Sequence, residues 1–75
     1  MKISKLLINA VNAAENKEKG PVFEMVRYFR NRHPHLSASE LKAQIAEELA
    51  MIFVNSDVDM IMEFIEKNSI IEEAP

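Results

Sequence analysis

Apolar residues recur every three or four positions along most of the chain, and this spacing predicts helices. Cap and turn signals divide the sequence into four predicted helices at about residues 4–17, 21–32, 38–54 and 57–68. No segment alternates apolar and polar residues over the length of a strand, and neither Asn-Gly nor Asp-Gly is present to turn a hairpin. We therefore predict an all-α fold, a small bundle-like domain of four helices formed by residues 1–75.

Each predicted helix has an apolar face when residues are placed at about 100° per step. These faces contain Leu6, Leu7, Ala10, Val11 and Ala14 in the first helix, Val22, Met25, Val26 and Phe29 in the second, Leu41, Ile45, Leu49, Ile52 and Phe53 in the third, and Val58, Ile61, Met62 and Ile65 in the fourth. In the fourth helix, Met60 and Phe64 widen the apolar arc to roughly 200°, which is more than one core face requires. We expect this helix to be central or shared with a second copy, so Met60 and Phe64 are the candidate self-association residues of a homodimer.

Serine residues mark three of the predicted helix starts. Ser37 and Glu40 have the S-x-x-E spacing of a capping box, in which each side chain binds the backbone N–H of the other residue. We expect Ser4 and Ser56 to cap the first and fourth helices with their side chains. Because each serine precedes a predicted helix, we interpret all three as caps and not as catalytic nucleophiles.

The second helix is bounded by different signals. Gly20 lets the chain turn out of the first helix, and Pro21 suits the first helical position, where its missing N–H costs nothing. Pro34 ends the helix, because a proline disfavours the α conformation in the residue before it, here His33. The second helix is therefore predicted to be short, at residues 21–32.

Charge is divided unevenly along the chain, whose formal net charge is −3. Residues 1–35 carry seven Lys or Arg against three Glu, a net charge of +4, and residues 36–75 carry two Lys against nine Asp or Glu, a net charge of −7. Two interpretations are open: the halves attract each other within the fold, or one of them docks an oppositely charged partner.

The composition also bears on the compartment. The chain has no Cys, so it can form neither a disulfide framework nor a thiolate zinc site. The apolar stretch near the start is interrupted by Asn9 and Asn12, well short of the roughly 18 apolar residues that a membrane span needs. We expect a soluble, cytoplasmic protein that does not enter a membrane.

No motif for catalysis, cofactor binding or metal binding is present. His33 and His35 flank a proline without a third ligand nearby, which makes a poor metal site. Asp59, Glu63 and Glu66 share one face of the fourth helix, but a cation site needs ligands that converge from more than one segment. We interpret these residues as solvent-exposed and expect no enzyme activity and no cofactor.

Basic and aromatic residues are concentrated in the second helix, which ends in the run RYFRNR. Arg27 and Arg30 flank Phe23 at three- and four-residue spacing, a composition typical of protein interface hot spots, whereas Tyr28 and Arg32 lie toward the other edge. We predict that Phe23, Arg27, Arg30 and Tyr28 bind a partner protein with an acidic or apolar surface. In the alternative interpretation, Phe23 is buried and the arginines pair with acidic residues of the later helices.

The function predicted from these features is that of a non-enzymatic protein-interaction module, such as a small regulator, inhibitor or adaptor. The alternative is a nucleic-acid-binding regulator that uses Lys17, Lys19, Arg27, Arg30 and Arg32. Nucleic acid is the less favoured partner, because the third helix, which would enter the groove of DNA, carries Glu40, Glu47 and Glu48.

The end of the chain has two possible arrangements. Ile70 and Ile71 precede Glu72 and Glu73 in the sequence SIIEEAP. The two isoleucines either fold back onto the bundle or pack on a second chain. The sequence leaves both possibilities open.

Overall fold

The computed structural model describes residues 3–71 and consists of four α-helices joined by short connections. The helices are α1 (Ile3–Glu15), α2 (Gly20–Arg32), α3 (Ala38–Ala50) and α4 (Asn55–Lys67). Each helix contacts its neighbours in sequence, and α1 also contacts α4, so the four helices surround a common core. Residues 3–71 contain no strand, and the predicted all-α fold of four helices is confirmed. Within the same residues, no helix is both long enough and apolar enough to span a bilayer.

The core is built entirely from apolar side chains, and no polar or charged side chain of the described residues is buried. Every residue predicted for the apolar faces of the first two helices is buried. The largest fully buried side chains are Phe29, Met25, Leu41, Ile45, Leu49, Ile61, Ile65 and Val22. Hydrophobic burial therefore holds the four helices together, as expected of a small domain without disulfides.

The third helix ends earlier than its apolar pattern predicted. It stops at Ala50, not at residue 54, and the Met51 and Ile52 N–H groups bond three residues back, which tightens the last turn. The tighter turn rotates the chain away from the apolar face, so the predicted burial of Ile52 is wrong: this side chain is 48% exposed. Phe53 remains half-buried against the core.

Two of the predicted serine caps are wrong. Ser4 lies inside α1, which begins at Ile3, and Ser56 lies inside α4, which begins at Asn55. The residue that caps α4 is Val54, which makes no side-chain hydrogen bond to the helix. Val54 has an extended backbone conformation, and the chain becomes helical directly after it. No side-chain hydrogen bond from Val54 caps the start of α4.

The capping box at the start of α3 is confirmed. The Ser37 hydroxyl accepts a hydrogen bond from the Glu40 N–H at 3.2 Å, and a Glu40 carboxylate oxygen accepts one from the Ser37 N–H at 2.9 Å. The bond from the Ser37 N–H, and then that from the Ser37 hydroxyl, lower the pKa of the Glu40 carboxyl. The box thus stabilises the charged form of Glu40.

Replacing Ser37 with alanine is expected to lower the free energy of unfolding by about 1 kcal/mol, because a helix amide loses its acceptor. Ser39→Ala is the control, since Ser39 is exposed inside the same helix and caps nothing. Thermal unfolding of the three proteins measures the difference. Equal melting temperatures for the parent and Ser37→Ala would mean that α3 does not depend on this cap.

The same comparison has a pH dependence. The pKa of the Glu40 carboxyl is lower in the folded protein than its ordinary value of 4.5. The ionised carboxyl therefore contributes fully to the free energy of unfolding above pH 4.5, and this contribution is lost as the pH falls through the folded pKa. Ser37→Ala removes only the hydroxyl's share of this effect. The difference in the free energy of unfolding between the parent and Ser37→Ala should therefore become smaller in acid without vanishing. The corresponding difference for Ser39→Ala should stay constant.

The turn between α1 and α2 places a lysine in a left-handed conformation. Lys17 has a φ of 60°, its N–H donates to the Ala14 carbonyl at 3.1 Å, and the Glu18 N–H donates to the Ala13 carbonyl at 2.8 Å. These are the two bonds of a Schellman motif, which usually has glycine at the left-handed position. The prediction that Gly20 provides this turn is wrong, because Gly20 is already the first residue of α2.

Replacing Lys17 with glycine is expected to stabilise the protein by about 0.5–1 kcal/mol, because glycine adopts a positive φ without a Cβ clash. The gain is partial, since glycine also loses more backbone entropy on folding. Lys19→Gly is the matched control, because Lys19 is exposed but has a right-handed φ of −83°. Equal effects of the two variants in chemical denaturation would contradict the strain at Lys17.

A second turn of the same kind ends α4 and decides between the two arrangements of the C-terminal isoleucines. Ser69 has a φ of 52°, and the Ile70 N–H donates to the Ile65 carbonyl at 3.0 Å. This turn directs Ile70 and Ile71 back onto the bundle, where they are only 6% and 7% exposed. The following residues, 72–75, lie outside the part of the chain that the structure describes.

Candidate functional site

One edge of α2 borders a groove that contains three of the four predicted partner-binding residues. The groove has a volume of about 210 Å³ and is lined by Phe23, Val26, Arg27, Arg30, Leu41, Ile70 and Ile71. The last two isoleucines are brought there by the turn at Ser69, so segments far apart in sequence form one surface. We call this surface the arginine groove.

Phe23 is an exposed aromatic residue at this groove. Its side chain is 41% exposed, so the interpretation in which Phe23 is buried is wrong. Val26 and Leu41 beside it are buried and form an apolar floor. An exposed aromatic ring next to an apolar floor provides area that an incoming apolar side chain can cover.

The two arginines of the groove have different surroundings. Arg27 is exposed and makes no hydrogen bond or ion pair with residues 3–71. Arg30 is half-buried, and its Nη1 donates to the Leu36 carbonyl at 2.6 Å and to the His33 carbonyl at 3.3 Å. Arg30 is therefore held in place by the connection between α2 and α3, and its other nitrogens bind no group of the described residues.

Tyr28, the fourth predicted partner-binding residue, is not part of the arginine groove. It is half-buried, its ring meets that of Phe29 edge-on at 5.6 Å, and its hydroxyl accepts a hydrogen bond from Arg32 Nη1 at 3.4 Å. The Arg32 guanidinium also lies 5.6 Å from the centre of the Tyr28 ring, a cation–π contact. The structure therefore separates Arg32 and Tyr28 from Arg27 and Arg30, as the helical spacing predicted.

The arginines of α2 are not neutralised by the acidic half of the chain as far as the structure describes it, up to Ile71. Arg27, Arg30 and Arg32 form no ion pair with a carboxylate of residues 3–71. The described ion pair joins Lys42 to Glu66 at 3.3 Å, and both residues belong to the acidic half. Within the described residues, direct pairing between the two halves does not account for the uneven charge.

A second groove lies between the end of α1 and one face of α4. Its volume is about 770 Å³, and its lining comprises Ala14, Glu15, Lys17, Ser56, Asp59, Met60, Glu63, Phe64, Lys67 and Asn68. Met60 and Phe64, the predicted self-association residues, are half-buried and line it together. We call this surface the α1–α4 groove.

The acidic residues and histidines considered for metal binding lie at separate places in the fold. Asp59 and Glu63 line the α1–α4 groove, whereas the Glu66 carboxylate accepts a hydrogen bond from Lys42 on α3. His33 and His35 lie in the connection between α2 and α3. Among residues 3–71, no three His, Cys, Asp or Glu side chains are grouped closely enough to hold a metal ion.

One exposed apolar surface was missed by the sequence interpretation. Met51, Ile52 and Val54 in the connection between α3 and α4 are 76%, 48% and 65% exposed. The sequence interpretation had assigned this stretch to the third helix, with Ile52 on its apolar face. A signal was present, because five consecutive apolar residues from Ala50 to Val54 exceed what a single helix face can cover.

No protein-family model, curated protein or solved structure matches this chain. The chemistry of the arginine groove follows from its own residues. An apolar floor, an exposed phenyl ring and two guanidinium groups can receive an apolar side chain while binding a carboxylate beside it.

Proposed function

We propose that the protein is a non-enzymatic protein-interaction module, a small regulator, inhibitor or adaptor, whose arginine groove docks an acidic and partly apolar segment of a partner protein. The observation that carries the proposal is the position of Arg27. Its guanidinium is exposed, has no partner among residues 3–71, and borders an apolar floor beside the exposed ring of Phe23. These are the features of an interface hot spot that a partner covers.

The size of the groove supports a polypeptide ligand. Small-molecule sites usually enclose roughly 300–1,000 Å³, whereas the arginine groove has a volume of about 210 Å³. A groove of this size suits one or two side chains that project from a larger surface. Arg30 contributes a pre-positioned charge, because its bonds to two loop carbonyls reduce the rotamer entropy lost on binding.

Capture of partners from an extract of the native host tests the proposal when matched variants are compared. Arg27→Gln and Phe23→Ser should lose a partner that the parent retains. Arg32→Gln should keep it, because Arg32 carries the same charge on the same helix but contacts Tyr28 outside the groove. Since Arg27 is exposed and has no partner among residues 3–71, its replacement should change the melting temperature little.

Two outcomes of this experiment would contradict the proposal. Retention of every partner by both Arg27→Gln and Phe23→Ser would exclude the arginine groove as the docking surface. Nucleic acid as the sole captured ligand, with retention that weakens steeply with salt and falls equally for Arg27→Gln and Arg32→Gln, would instead support the alternative regulator.

We also propose that the α1–α4 groove is covered by a second copy of the chain. Met60 and Phe64 provide the apolar centre, and the rim carries both signs of charge. A two-fold interface requires such a mixed rim, because the patch meets itself. Asp59 lies near the start of α4 and Lys67 at its end, so two antiparallel α4 helices bring Lys67 of one copy toward the acidic start of the other.

Sedimentation velocity at micromolar concentration tests this second proposal. The parent should be a dimer, and Met60→Glu should be a folded monomer, because each two-fold interface would then bury two added carboxylates. Met51→Glu is the control, since Met51 is exposed in the connection between α3 and α4 and does not line the groove. A monomeric parent would overturn the proposal and leave Met60 and Phe64 as edge residues of the core.

We also propose that the protein is located in the cytoplasm. Small exported domains commonly depend on disulfides for stability, and this chain has no cysteine. Imaging of the tagged protein in its host would contradict this assignment if the signal followed the cell surface or the medium.

A further inference from the structure

The segment that ends α3 and leads into α4 has the composition that suits the arginine groove. Three of its side chains are large, apolar and exposed: Met51, Ile52 and Val54. Glu47 and Glu48 lie directly before them, in the last turn of α3. The segment therefore presents apolar side chains with carboxylates beside them. We call residues 47–54 the acidic tip.

The two carboxylates of the acidic tip have no opposite charge nearby within the described chain. Neither Glu47 nor Glu48 forms an ion pair with a cation of residues 3–71. The sequence contains no Lys, Arg or His between Lys42 and Lys67. Because the last turn of α3 lacks a basic residue, both carboxylates lie at the negative end of the helix dipole without compensation. A positive charge from another molecule would stabilise this end of the helix.

The acidic tip and the arginine groove are at opposite ends of α3. Leu41, which lines the groove, lies in the first turn of α3, whereas Met51 follows the end of the helix. An advance of ten residues corresponds to about 15 Å along a helix axis. The connection that carries Met51 is short and anchored by a helix on each side, so it does not reach the groove of its own chain. Two copies can instead meet end to end.

We propose that the acidic tip of one copy docks in the arginine groove of another copy. The contact rests on the proposed function of the groove and identifies a second copy as one of its occupants. Met51 covers the apolar floor beside the exposed ring of Phe23. An unbranched methionine side chain adapts readily to such a surface. The two carboxylates of the tip then lie near Arg27 and Arg30, of which Arg27 has no partner among residues 3–71.

This contact would pair the unevenly divided charges of the chain. The basic half of one copy meets the acidic half of the next, a pairing that residues 3–71 do not make within one copy. A groove of about 210 Å³ receives only one or two side chains, so the interface is small. Small interfaces are weak and transient, and we expect a dissociation constant on the order of 0.1–1 mM. The contact is therefore sparsely populated at micromolar concentration, where the α1–α4 dimer is tested.

The contact joins two different surfaces, and this property allows a direct test with mixed variants. Phe23→Ser combined with Arg27→Gln removes the groove surface and leaves the tip intact. Met51→Ser combined with Ile52→Ser removes the tip and leaves the groove intact. All four replaced residues are exposed, so both double variants should remain folded. Only the mixture of the two variants contains an intact groove together with an intact tip on separate chains.

NMR of the ¹⁵N-labelled variants measures the docking by residue. When the groove variant is added to the labelled tip variant at about 1 mM, near the expected dissociation constant, the amide signals of Arg27, Arg30 and Leu41 should shift. With the labels exchanged, the signals of residues 51–54 should shift. Each variant alone should show no concentration-dependent shift at either surface. Unshifted signals at both surfaces in the mixture would overturn the contact, as would shifts of equal size in the unmixed variants.

The same mixture tests the part played by charge. Adding Glu47→Gln to the chain that supplies the tip should weaken the contact about two- to five-fold, because one exposed ion pair is lost. Glu63→Gln on that chain is the matched control, since it removes the same charge from the separate α1–α4 groove. Equal weakening by both replacements would show a general charge effect and overturn the proposed pairing.

Failure of this contact and failure of the proposed function are distinguishable. Absence of shifts in the mixed variants would exclude a second copy from the groove, while capture of a host protein that depends on Arg27 and Phe23 would still support partner docking. Capture that is insensitive to Arg27→Gln and Phe23→Ser would exclude the host partner, while shifts in the mixed variants would still support self-docking.

Discussion

Replacing Ile45 with alanine is expected to lower the free energy of unfolding by about 2–5 kcal/mol, and the same replacement at Ile52 by less than about 0.5 kcal/mol. Ile45 is fully buried, whereas Ile52 is exposed beyond the end of α3. The first variant loses the transfer free energy of the removed atoms and leaves a cavity. A domain of 75 residues has only about 4–11 kcal/mol of stability at typical values per residue, so Ile45→Ala should consume much of it.

Equilibrium denaturation with urea measures both variants against the parent. The pair is matched in chemistry, since both replacements remove the same atoms from the apolar pattern of one predicted helix. Equal costs would mean that α3 continues through Ile52 and buries it, as the periodicity alone suggested.

Replacing Arg30 with glutamine is expected to cost about 1.5–3 kcal/mol, which is the usual range for hydrogen bonds that involve a charged group. The Arg30 guanidinium binds the carbonyls of Leu36 and His33 at the connection between α2 and α3. Because this connection leads directly into the capping box of α3, its loosening should also free the start of that helix. Amide hydrogen exchange at Ala38 to Leu41 should accelerate in the variant.

Arg27→Gln is the control for Arg30→Gln, since the same charge is removed from the same edge of α2. Its guanidinium has no partner within residues 3–71, so its cost should stay below about 0.5 kcal/mol. If the two variants unfold at the same denaturant concentration, Arg30 does not hold the connection, and its role is confined to the groove surface.

The parts of the fold that sequence reasoning predicted well are those with an explicit local signal. Pro21 and Pro34 bound the second helix to within one residue, and Ser37 with Glu40 marks the start of the third. These signals act through the backbone of their own neighbours, so they do not depend on the tertiary structure. The apolar faces of α1 and α2 were predictable for a similar reason, because their spacing is regular and interrupted by polar residues.

The boundary between α3 and α4 had no such signal. The stretch from Ala50 to Val54 contains neither glycine nor proline. Its apolar run is too long for one helix face, but the run does not show at which residue the helix ends. After Ala50 the chain turns, and α4 packs against α3. A local apolar pattern does not encode where that turn falls. Ser56 was misinterpreted for the same reason, because its predicted role as a cap depended on a helix start that lies two residues earlier, at Asn55.

The candidate site was predictable on one side only. Helical spacing placed Phe23, Arg27 and Arg30 on a common edge, and the structure confirms that arrangement. The opposite wall depends on Ser69, a residue without preference for the left-handed conformation that it adopts. Burial of Ile70 and Ile71 offsets the free-energy cost of the left-handed conformation at Ser69. A single sequence does not predict this burial, because it depends on contacts with residues far away along the chain.

The burial pattern also turns the methionines into a graded set of chemical reporters. Of the four methionines within residues 3–71, Met51 is the most exposed at 76%, Met60 and Met62 are half-buried, and Met25, on the inner face of α2, is fully buried. Peroxide converts an accessible thioether into a polar sulfoxide. Oxidation at Met51 would therefore leave the core intact, whereas Met25 reacts only in chains that have opened, and its sulfoxide cannot return to an apolar interior without cost. The oxidation state of Met25 would thus report whether the helices of that molecule had separated during exposure to peroxide.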